Sequence, residues 1–392
     1  MHFSLTEEQQ LIQASAQDWL ADNYSFRQRE AGVHGEGGAA AVWRAFAEMG
    51  WLGLPVAEAA GGSGAGLLES GLLMQAFGRH LVVEPFCACV LQSARLLSLA
   101  GTPEQQARWL PGALAGEHRL AFAYGEPGDP LPWQARQTLV QRQADGWRID
   151  GRKQMVRGAA GAAQWIVSAR DSGHSEGELL FLVDPLQPGV GIDTYSTTDG
   201  GTAADLTFDG VMLQQEALLG GSAGCAHVTQ LLHQVIAEGI VARCWEATGA
   251  MQAVLEQTTA YTRQRVQFGQ ALSNFQVVQH RLAEMAVLCT EAQAACELAA
   301  MQLAQTPVAG KMLAAMAKSK VGRAARFVAQ EAVQLHGAMG VCEELPVAAT
   351  FRMLLAFSSE DGDAASHAAL LGNGLLASGR FALSQTLPLE SI

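Results

Sequence analysis

The chain has 392 residues, of which 49% are hydrophobic and 16% are charged, and its formal net charge at pH 7 is -13. This length suits two or three packed domains, and the composition is typical of a compact globular protein rather than a disordered or fibrous one. The negative charge argues against a nucleic-acid partner, because binding to phosphate backbones relies on clustered Lys and Arg. No apolar stretch of about twenty residues predicts a membrane span, so we expect no membrane association.

The seven cysteines are scattered among apolar neighbours, at positions 87, 89, 225, 244, 289, 296 and 342. This pattern predicts buried, reduced thiols in a cytoplasmic protein rather than a disulfide framework or a zinc site. His280, His336 and His367 are isolated and lie at no metal-ligand spacing, so each is predicted to be a surface or core histidine and no metal site is expected. Thr6 with Gln9 predicts a capped helix start, not a signal peptide.

Apolar residues at helical spacing predict an all-helical N-terminal domain over residues 1–117. The texture then changes to short strands separated by turn pairs, such as Asp145-Gly146 and Asp150-Gly151, which predict a β domain over residues 118–222. The organisation is therefore helical first and then β.

Helical periodicity resumes after a glycine-rich hinge at residues 220–224, and it predicts a helical domain over residues 223–392. The four long helical segments are roughly 225–263, 276–304, 308–338 and 364–385. The predicted order of domains is α, β, α.

The most informative segment is 261–287, YTRQRVQFGQALSNFQVVQHRLAEMAV. A helix is predicted to end near Arg263, a turn to form at Phe268-Gly269, and a second helix to begin after Asn274. Arg265 then lies near a helix junction, where its guanidinium could hold a phosphate. The residue type alone leaves the alternative of a surface arginine in a loop between helices.

Two motifs carry a resemblance to a known family. The pattern R-x-x-F-G at 265–269, followed by F-Q-x-x-Q-x-x-L-A-x-M at 275–285, resembles the signature of the flavin-dependent acyl-CoA dehydrogenases. The stretch QLHGAMGVCEELPVAATFR at 334–352 resembles a second motif of that family, which runs from Gln through a Gly-Gly pair and a Glu-x-Pro to an Arg. The resemblance covers essentially the whole chain, and it implies an N-terminal all-α domain, a middle β-barrel and a C-terminal four-helix bundle.

The resemblance also implies FAD as cofactor and a tetramer in which FAD lies between subunits. The flavin ring and the acyl-CoA thioester are expected in one chain's cleft, with the ADP half held by the neighbouring chain. The implied reaction is α,β-dehydrogenation of an acyl-CoA: a carboxylate removes the α proton, and the β hydrogen leaves as hydride to the flavin. An electron-transfer flavoprotein is the implied electron acceptor.

The residues that match the family's contacts to a neighbour's FAD are largely kept, and together we call them the nucleotide grip. They are Arg265, Phe268, Gln276, Gln334, Gly337 and Ala338. By resemblance, Arg265 and Phe268 serve the pyrophosphate and ring, Gln276 adds a polar contact, and the 334–338 loop approaches the adenosine. Ala338 replaces the family's second glycine, which removes conformational freedom at positive φ but adds only a methyl group.

The residues that match the family's contacts to a chain's own flavin and to coenzyme A are altered. The Thr-Glu-Pro strand is Gly125-Glu126-Pro127 here, and the serine that follows it in the family is missing from GDPLP. The Trp-Ile-Thr-Asn segment is Met155–Gly158, so an indole and a hydroxyl are lost and Arg157 is expected to crowd the ring. The family's Asp and Arg contacts to coenzyme A become Ala237 and Ile240.

The family's catalytic Glu, in a Glu-Gly-Thr turn, aligns with Asp361 of Asp361-Gly362-Asp363. Asp is one methylene shorter, so its carboxylate is expected about 1.5 Å short of the α carbon and to be inactive as a base. The family's alternative base position carries Gly239, and Glu238 points about 100° away around the helix. Asp363 is predicted to cap the helix that begins at Ala364.

These differences favour a subunit of a heteromeric acyl-CoA dehydrogenase. The chain would supply the ADP-binding half of a paralogous partner's FAD site, in an α2β2 heterotetramer of the kind that acts on steroid side chains or pimeloyl-CoA. Two alternatives stay open. One is a self-sufficient homotetrameric acyl-CoA dehydrogenase with Asp361 as base, and the other is a flavin-free scaffold or acyl-CoA-binding protein.

Overall fold

The computed structural model describes residues 5–35, 38–128, 130–173, 177–221 and 227–379. The boundary predicted at 222/223, hinge residues 222–224 and Cys225 lie outside these ranges. The chain forms two compact units, which we call the helical unit and the sheet unit. The helical unit comprises Met1–Glu30, Leu67–Val82 and Ile240–Ile392, and the sheet unit comprises Ala31–Gly66 and Val83–Gly239.

The helices are named in chain order. They are α1 (Glu7–Asn23), α2 (Phe26–Val33), α3 (Ala39–Glu48), α4 (Leu67–His80), α5 (Arg95–Ala100), α6 (Pro103–Leu114), α7 (Val228–Gln264), α8 (Gln276–Gln305), α9 (Gly310–His336), α10 (Pro346–Ser359) and α11 (Ala364–Ser378). A π-helical segment, Cys87–Ala94, leads directly into α5. Within the described ranges, no helix has the length and apolarity needed to cross a bilayer.

Capping side chains set several helix starts where the sequence places them. Thr6 and Gln9 form a reciprocal capping box at the start of α1. Thr102 and Gln105 do the same at α6, and the Asp363 carboxylate accepts the Ser366 N–H at the start of α11. The predicted caps at Thr6 and Asp363 are therefore confirmed.

The helical unit brings α4 and α7 unusually close together through glycines. A Cβ built on Gly78 would lie 1.8 Å from the carbonyl oxygen of Glu246, and one on Gly249 would lie 2.0 Å from that of Gln75. Gly71 likewise leaves room for the indole of Trp245, which is fully buried. At Gly78 and Gly249 the two helix backbones are in contact, so a side chain at either glycine would push the helices apart.

The helix prediction for this unit missed one helix and extended another beyond its described end. Helix α10 was not among the predicted helices. Pro346 in its first turn is a signal for a helix start, because the N–H that proline lacks would have no partner within the helix there. Helix α11 ends at Ser378 and is closed by Gly379 at φ 66°. The remainder of that predicted helix, residues 380–385, lies outside the described residues.

The sheet unit contains one seven-stranded sheet. Its strands are β1 (Leu120–Ala123), β2 (Leu139–Gln143), β3 (Gly146–Arg157), β4 (Gln164–Asp171), β5 (Glu178–Val183), β6 (Val190–Ser196) and β7 (Thr202–Leu213). The order is β1-β4-β2-β3-β7-β6, with β5 antiparallel to β4. Buried aromatic and branched side chains fill its core, including Trp147, Trp165, Phe181 and Leu206. The predicted α, β, α fold class is confirmed.

One predicted turn is wrong. Asp145-Gly146 does close the β2–β3 hairpin, since Gln143 pairs with Gly146. Asp150-Gly151, in contrast, lies inside β3, where the register with β7 shifts between Ile149 and Gly151. A Cβ on Gly151 would lie 2.7 Å from Thr138, so this glycine marks a bulge with close backbone approach, not a chain reversal.

Candidate cofactor and substrate sites

The first half of the nucleotide grip is presented by a hairpin between α7 and α8. Strands β8 (Val266–Gln267) and β9 (Gln270–Ala271) pair antiparallel, and Phe268 and Gly269 form the tip with φ of 54° and 82°. Positive φ at both tip residues is the geometry of the tight hairpin turn that suits twisted strands. The predicted turn is therefore confirmed, and it leaves the Phe268 ring 91% exposed.

The Arg265 guanidinium is available for a ligand. Arg265 is exposed, and none of the described residues forms an ion pair or hydrogen bond with its side chain. Its backbone is held at both ends instead, because its N–H donates to Tyr261 O at 2.9 Å and its carbonyl accepts from Leu272 N at 2.9 Å. A fixed backbone that carries an unpaired, exposed cation fits an anionic ligand such as a pyrophosphate.

The second half of the nucleotide grip lies in the last turn of α9 and in the residues just after it. Gln334, Gly337 and Ala338 are all exposed, as is Gln276 at the start of α8. Gly337 adopts φ 60° and ψ -138°, a conformation that favours glycine, and an added Cβ there would meet nothing within 4 Å. Ala338 is not among the residues with positive φ, so its methyl group causes no backbone strain.

The two halves meet through Tyr261 and His336. The Tyr261 ring stacks on the His336 ring, with centroids 4.4 Å apart and planes tilted by 23°. Tyr261 Oη also donates to the backbone oxygen of His336 at 3.3 Å. The end of α7 and the end of α9 therefore lie together, and the predicted grip residues near these ends are exposed.

The strand that would face the chain's own flavin is occupied by internal contacts in the sheet unit. Met155 takes φ 57° and is 39% exposed. Its N–H donates to Asp205 Oδ1 at 3.0 Å, and Tyr195 Oη donates to the same oxygen at 2.7 Å. Burial, with the Asp205 carboxylate close by, raises the pKa of Tyr195 to about 12. Met155 therefore stands where the family has a tryptophan, and its backbone N–H is held by Asp205.

Arg157 does not project freely from this strand. Its Nη2 donates to Asp199 Oδ2 at 2.7 Å, and both side chains are largely buried. A Cβ on Gly201 would lie 3.0 Å from Arg157 Nη1, so the guanidinium packs tightly into this corner. An arginine replaces the family's small hydroxyl residue, as the sequence indicates, and its charge is neutralised within the chain.

Glu126 has a structural role in the sheet unit. Its carboxylate accepts hydrogen bonds from the backbone N–H groups of Gln137 and Thr138, and from Lys153 Nζ at 2.6 Å. Burial tends to raise the pKa of Glu126, but the Lys153 charge and these hydrogen bonds outweigh it and hold the pKa below its usual value. Both side chains are almost fully buried, so the pair fixes the loop between β1 and β2.

Gly239, at the family's alternative base position, packs closely against Gln92. A Cβ on Gly239 would lie 2.3 Å from Nε2 of Gln92, which projects from the π-helical segment. Glu238 is also committed, because it forms a salt bridge with Arg95 and accepts from Gln234 Nε2 at 2.9 Å. These contacts hold the Glu238 carboxylate in place and are consistent with the prediction that neither residue is a base.

The acidic turn after α10 holds Asp361 in a strained backbone conformation. Asp361 has φ 54°, which is costly for a residue with a Cβ. Its carbonyl oxygen lies 2.9 Å from His367 Nε2, and the buried Lys318 ammonium donates to Phe357 O and lies 3.7 Å from the Phe357 ring centroid. The backbone N–H of Ser366 lowers the pKa of Asp363, the N-cap of α11. The turn is thus fixed from several sides.

Several of these contacts were not evident from the sequence. Lys318, Gln92, Asp199 and Asp205 carry no motif, and each acts through a residue far away in the chain. His336 and His367 were predicted to be ordinary core or surface histidines, and both are buried. No cluster of three potential metal-ligating His, Cys, Asp or Glu side chains occurs in the part of the chain that the structure describes.

Comparison with known protein families adds independent information. Residues 6–117 match the model for the acyl-CoA dehydrogenase N-terminal domain, residues 121–211 the middle domain, and residues 230–376 the C-terminal domain. Acyl-CoA dehydrogenase FadE27 of Mycobacterium tuberculosis is 30% identical over 315 residues, which cover 78% of this chain and 80% of that protein.

Two solved structures share the fold over almost the full length. A variant of the Tcur3481-Tcur3483 steroid ACAD is 30% identical with a TM-score of 0.84, covering 95% of this chain and 98% of that one. The ChsE4-ChsE5 complex from Mycobacterium tuberculosis is 25% identical with a TM-score of 0.83, covering 96% of this chain and 99% of that one.

Proposed function

Because the chain belongs to the acyl-CoA dehydrogenase family, whose members are FAD-binding oxidoreductases acting on acyl-CoA thioesters, we propose that it is one subunit of a heteromeric enzyme. In this proposal its nucleotide grip holds the ADP half of an FAD whose flavin ring belongs to a paralogous partner subunit. The partner supplies the base and the acyl-CoA cleft. The assembly is proposed to be an α2β2 heterotetramer in the cytoplasm, with an electron-transfer flavoprotein as electron acceptor.

The observation that carries this proposal is a contrast between two arginines. Arg265, in the nucleotide grip, is exposed and has no partner among the described residues. Arg157, where a chain's own flavin would lie, is largely buried and paired with Asp199. An unpaired cation on a fixed hairpin is suited to a pyrophosphate, whereas an internally neutralised cation has little to offer a cofactor.

The residues present fit the ADP half of FAD and do not fit its flavin half. Arg265 would pair with the pyrophosphate, Phe268 would cover apolar surface of the cofactor, and Gln334 would offer its amide to the adenosine. When bound, FAD supplies the hydride acceptor of the dehydrogenation. The Met155 and Arg157 positions carry no indole or hydroxyl for a flavin ring, so no reaction step is assigned to this chain's own residues there.

The names of the similar structures support the heteromeric arrangement. One of them is described as a complex of two different proteins and the other as a steroid ACAD. A steroid side-chain acyl-CoA is therefore the first substrate class to test for this chain's complex, and pimeloyl-CoA is the second.

A second candidate function is the homotetrameric enzyme with Asp361 as base. The observation in its favour is the strained conformation of Asp361, held by His367 and by the buried Lys318 beneath the turn. Strain of this kind is often retained where a side chain must be aimed at a substrate. The altered positions at Met155 and Arg157 weigh against it.

The experiment compares the chain purified alone with the chain co-purified with a co-expressed paralogous subunit. The heteromer proposal expects about one FAD per heterodimer in the complex and none on the chain alone. It expects Asp361→Asn to leave dehydrogenase turnover of the complex unchanged, and Arg265→Ala to weaken FAD retention about tenfold or more. Arg323→Ala, an exposed arginine of α9, is the matched control.

Each competing function gives a different result. A yellow protein with about one FAD per chain when purified alone, inactivated by Asp361→Asn, would establish the homotetramer instead. A complex that never acquires FAD would favour the flavin-free scaffold. An unchanged FAD content in the Arg265→Ala complex would remove the nucleotide grip from the proposal.

A further inference from the structure

Tyr261 is linked to both halves of the nucleotide grip, although it belongs to neither. Its backbone oxygen accepts the N–H of Arg265 at 2.9 Å, so it holds the start of the hairpin. Its ring stacks on His336 at a centroid distance of 4.4 Å, and its hydroxyl donates to His336 O at 3.3 Å. His336 lies between Gln334 and Gly337, so the Tyr261 side chain packs against the second half while its backbone holds the first.

The His336 ring is itself held in place. It is 6% exposed, and its Nδ1 lies 2.8 Å from Ala332 O. A carbonyl oxygen can only accept, so Nδ1 carries the proton and the tautomer is determined. Burial lowers the pKa of His336, which keeps the ring neutral beside the Tyr261 ring. The chain then leaves α9 at Gly337, with φ 60°.

We propose that Tyr261 is a positioning residue for a nucleoside diphosphate ligand, the ADP half of FAD, and that it fixes the separation between Arg265 and the Gln334–Gly337 turn. The inference rests on the proposed function of the nucleotide grip. A ligand that spans two segments binds tightly only when both are already placed, because ordering them on binding reduces the affinity. Tyr261 reaches both segments, through its backbone oxygen to Arg265 and through its side chain to His336.

The test measures binding of FAD, and separately of ADP, to the complex of the full chain with its paralogous subunit. Tyr261→Leu is expected to weaken FAD binding about tenfold through lost preorganisation. Tyr261→Phe keeps the stack and loses only the hydroxyl contact, so it is expected to restore most of the affinity. Because a preorganised second segment matters most when Arg265 also holds the ligand, the Tyr261→Leu/Arg265→Ala double variant should lose less than the product of the two single effects.

Tyr24→Leu is the matched control, since Tyr24 is a buried tyrosine at another helix end of the same unit. It is expected to lower the thermal midpoint without changing the affinity for FAD. If Tyr261→Leu does not yield folded protein, His336→Leu removes the same stack from the other side and carries the same expectation.

The outcomes separate this inference from the proposed function. If Arg265→Ala weakens FAD binding and Tyr261→Leu does not, the positioning role is wrong and the nucleotide grip stands. If the two effects multiply fully, Tyr261 contributes only to general stability and the positioning role is again wrong. If neither variant changes the affinity for FAD or ADP, the proposed function itself fails.

Discussion

Acid should destabilise this protein through His367. The His367 side chain is fully buried, its Nε2 lies 2.9 Å from Asp361 O, and its Nδ1 has no hydrogen-bond partner among the described residues. Burial, opposed by the Asp361 contact and reinforced by the positive charge of Lys318, lowers its pKa from 6.5 to about 4. Asp363 is the other charged group that faces the ring, and it acts to raise the pKa.

The sign and size of the effect follow from proton linkage. Between pH 6.5 and about 4, His367 is protonated in the unfolded chain but not in the folded chain. The free energy of unfolding therefore falls as the pH falls. The loss from this one group amounts to about 2 kcal/mol at pH 5 and about 3 kcal/mol at pH 4. Above pH 7 neither state is protonated there, and His367 contributes no pH dependence.

His367→Gln is the informative variant, because the glutamine amide can still donate toward Asp361 O and cannot titrate. The measurement is the free energy of unfolding in urea at pH 7, 6, 5 and 4.5, for wild type and variant. We expect the wild-type curve to fall more steeply, by about 2 kcal/mol at pH 5. His280→Gln, at an exposed position, controls for the replacement itself. Parallel wild-type and His367→Gln curves would refute the reasoning.

Three further predictions concern packing and burial. Lys153→Met should destabilise the sheet unit by about 3–5 kcal/mol in urea unfolding, because it leaves the Glu126 carboxylate buried without its cation, and adding Glu126→Gln should recover part of that loss. Gly239→Ala should cost about 1–3 kcal/mol by the same measurement, since its Cβ would lie 2.3 Å from Gln92 Nε2, and Gln92→Ala should relieve the cost. Gly78→Ala should lower the thermal midpoint most, because its Cβ would lie 1.8 Å from a backbone oxygen of α7 that cannot rotate away; an unchanged midpoint would contradict the close approach of α4 and α7.

Local signals in the sequence predicted much of the fold. The caps at Thr6 and Asp363 and the tight turn at Phe268-Gly269 depend on residues within a few positions of each other, and the structure confirms all three. The prediction of a turn at Asp150-Gly151 was wrong because an Asp-Gly pair also occurs at β-bulges. Only the cross-strand neighbour Thr138 decides between the two.

The candidate sites divide in the same way. The residues proposed as the nucleotide grip could be named from the sequence because they lie in two continuous motifs, and they are exposed in the structure. The partners that close the other positions could not be predicted. Asp199 is 42 residues from Arg157 in the sequence. Gln92 and Gly239 are in contact although they are still farther apart along the chain. Such pairings depend on tertiary contacts, and no local rule encodes them.

Asp363 and Asp361, both in the acidic turn at residues 360–363, make different contacts. Asp363 is explained by capping alone, since its carboxylate accepts the Ser366 N–H at 2.7 Å. Asp361 has φ 54°, and its carbonyl oxygen and that of Phe357 accept hydrogen bonds from the buried side chains of His367 and Lys318. These hydrogen bonds hold the backbone, so the shape of the turn does not require the Asp361 carboxylate to act as a base. The shape of this turn is therefore compatible with the proposed subunit, whose chemistry resides in its partner.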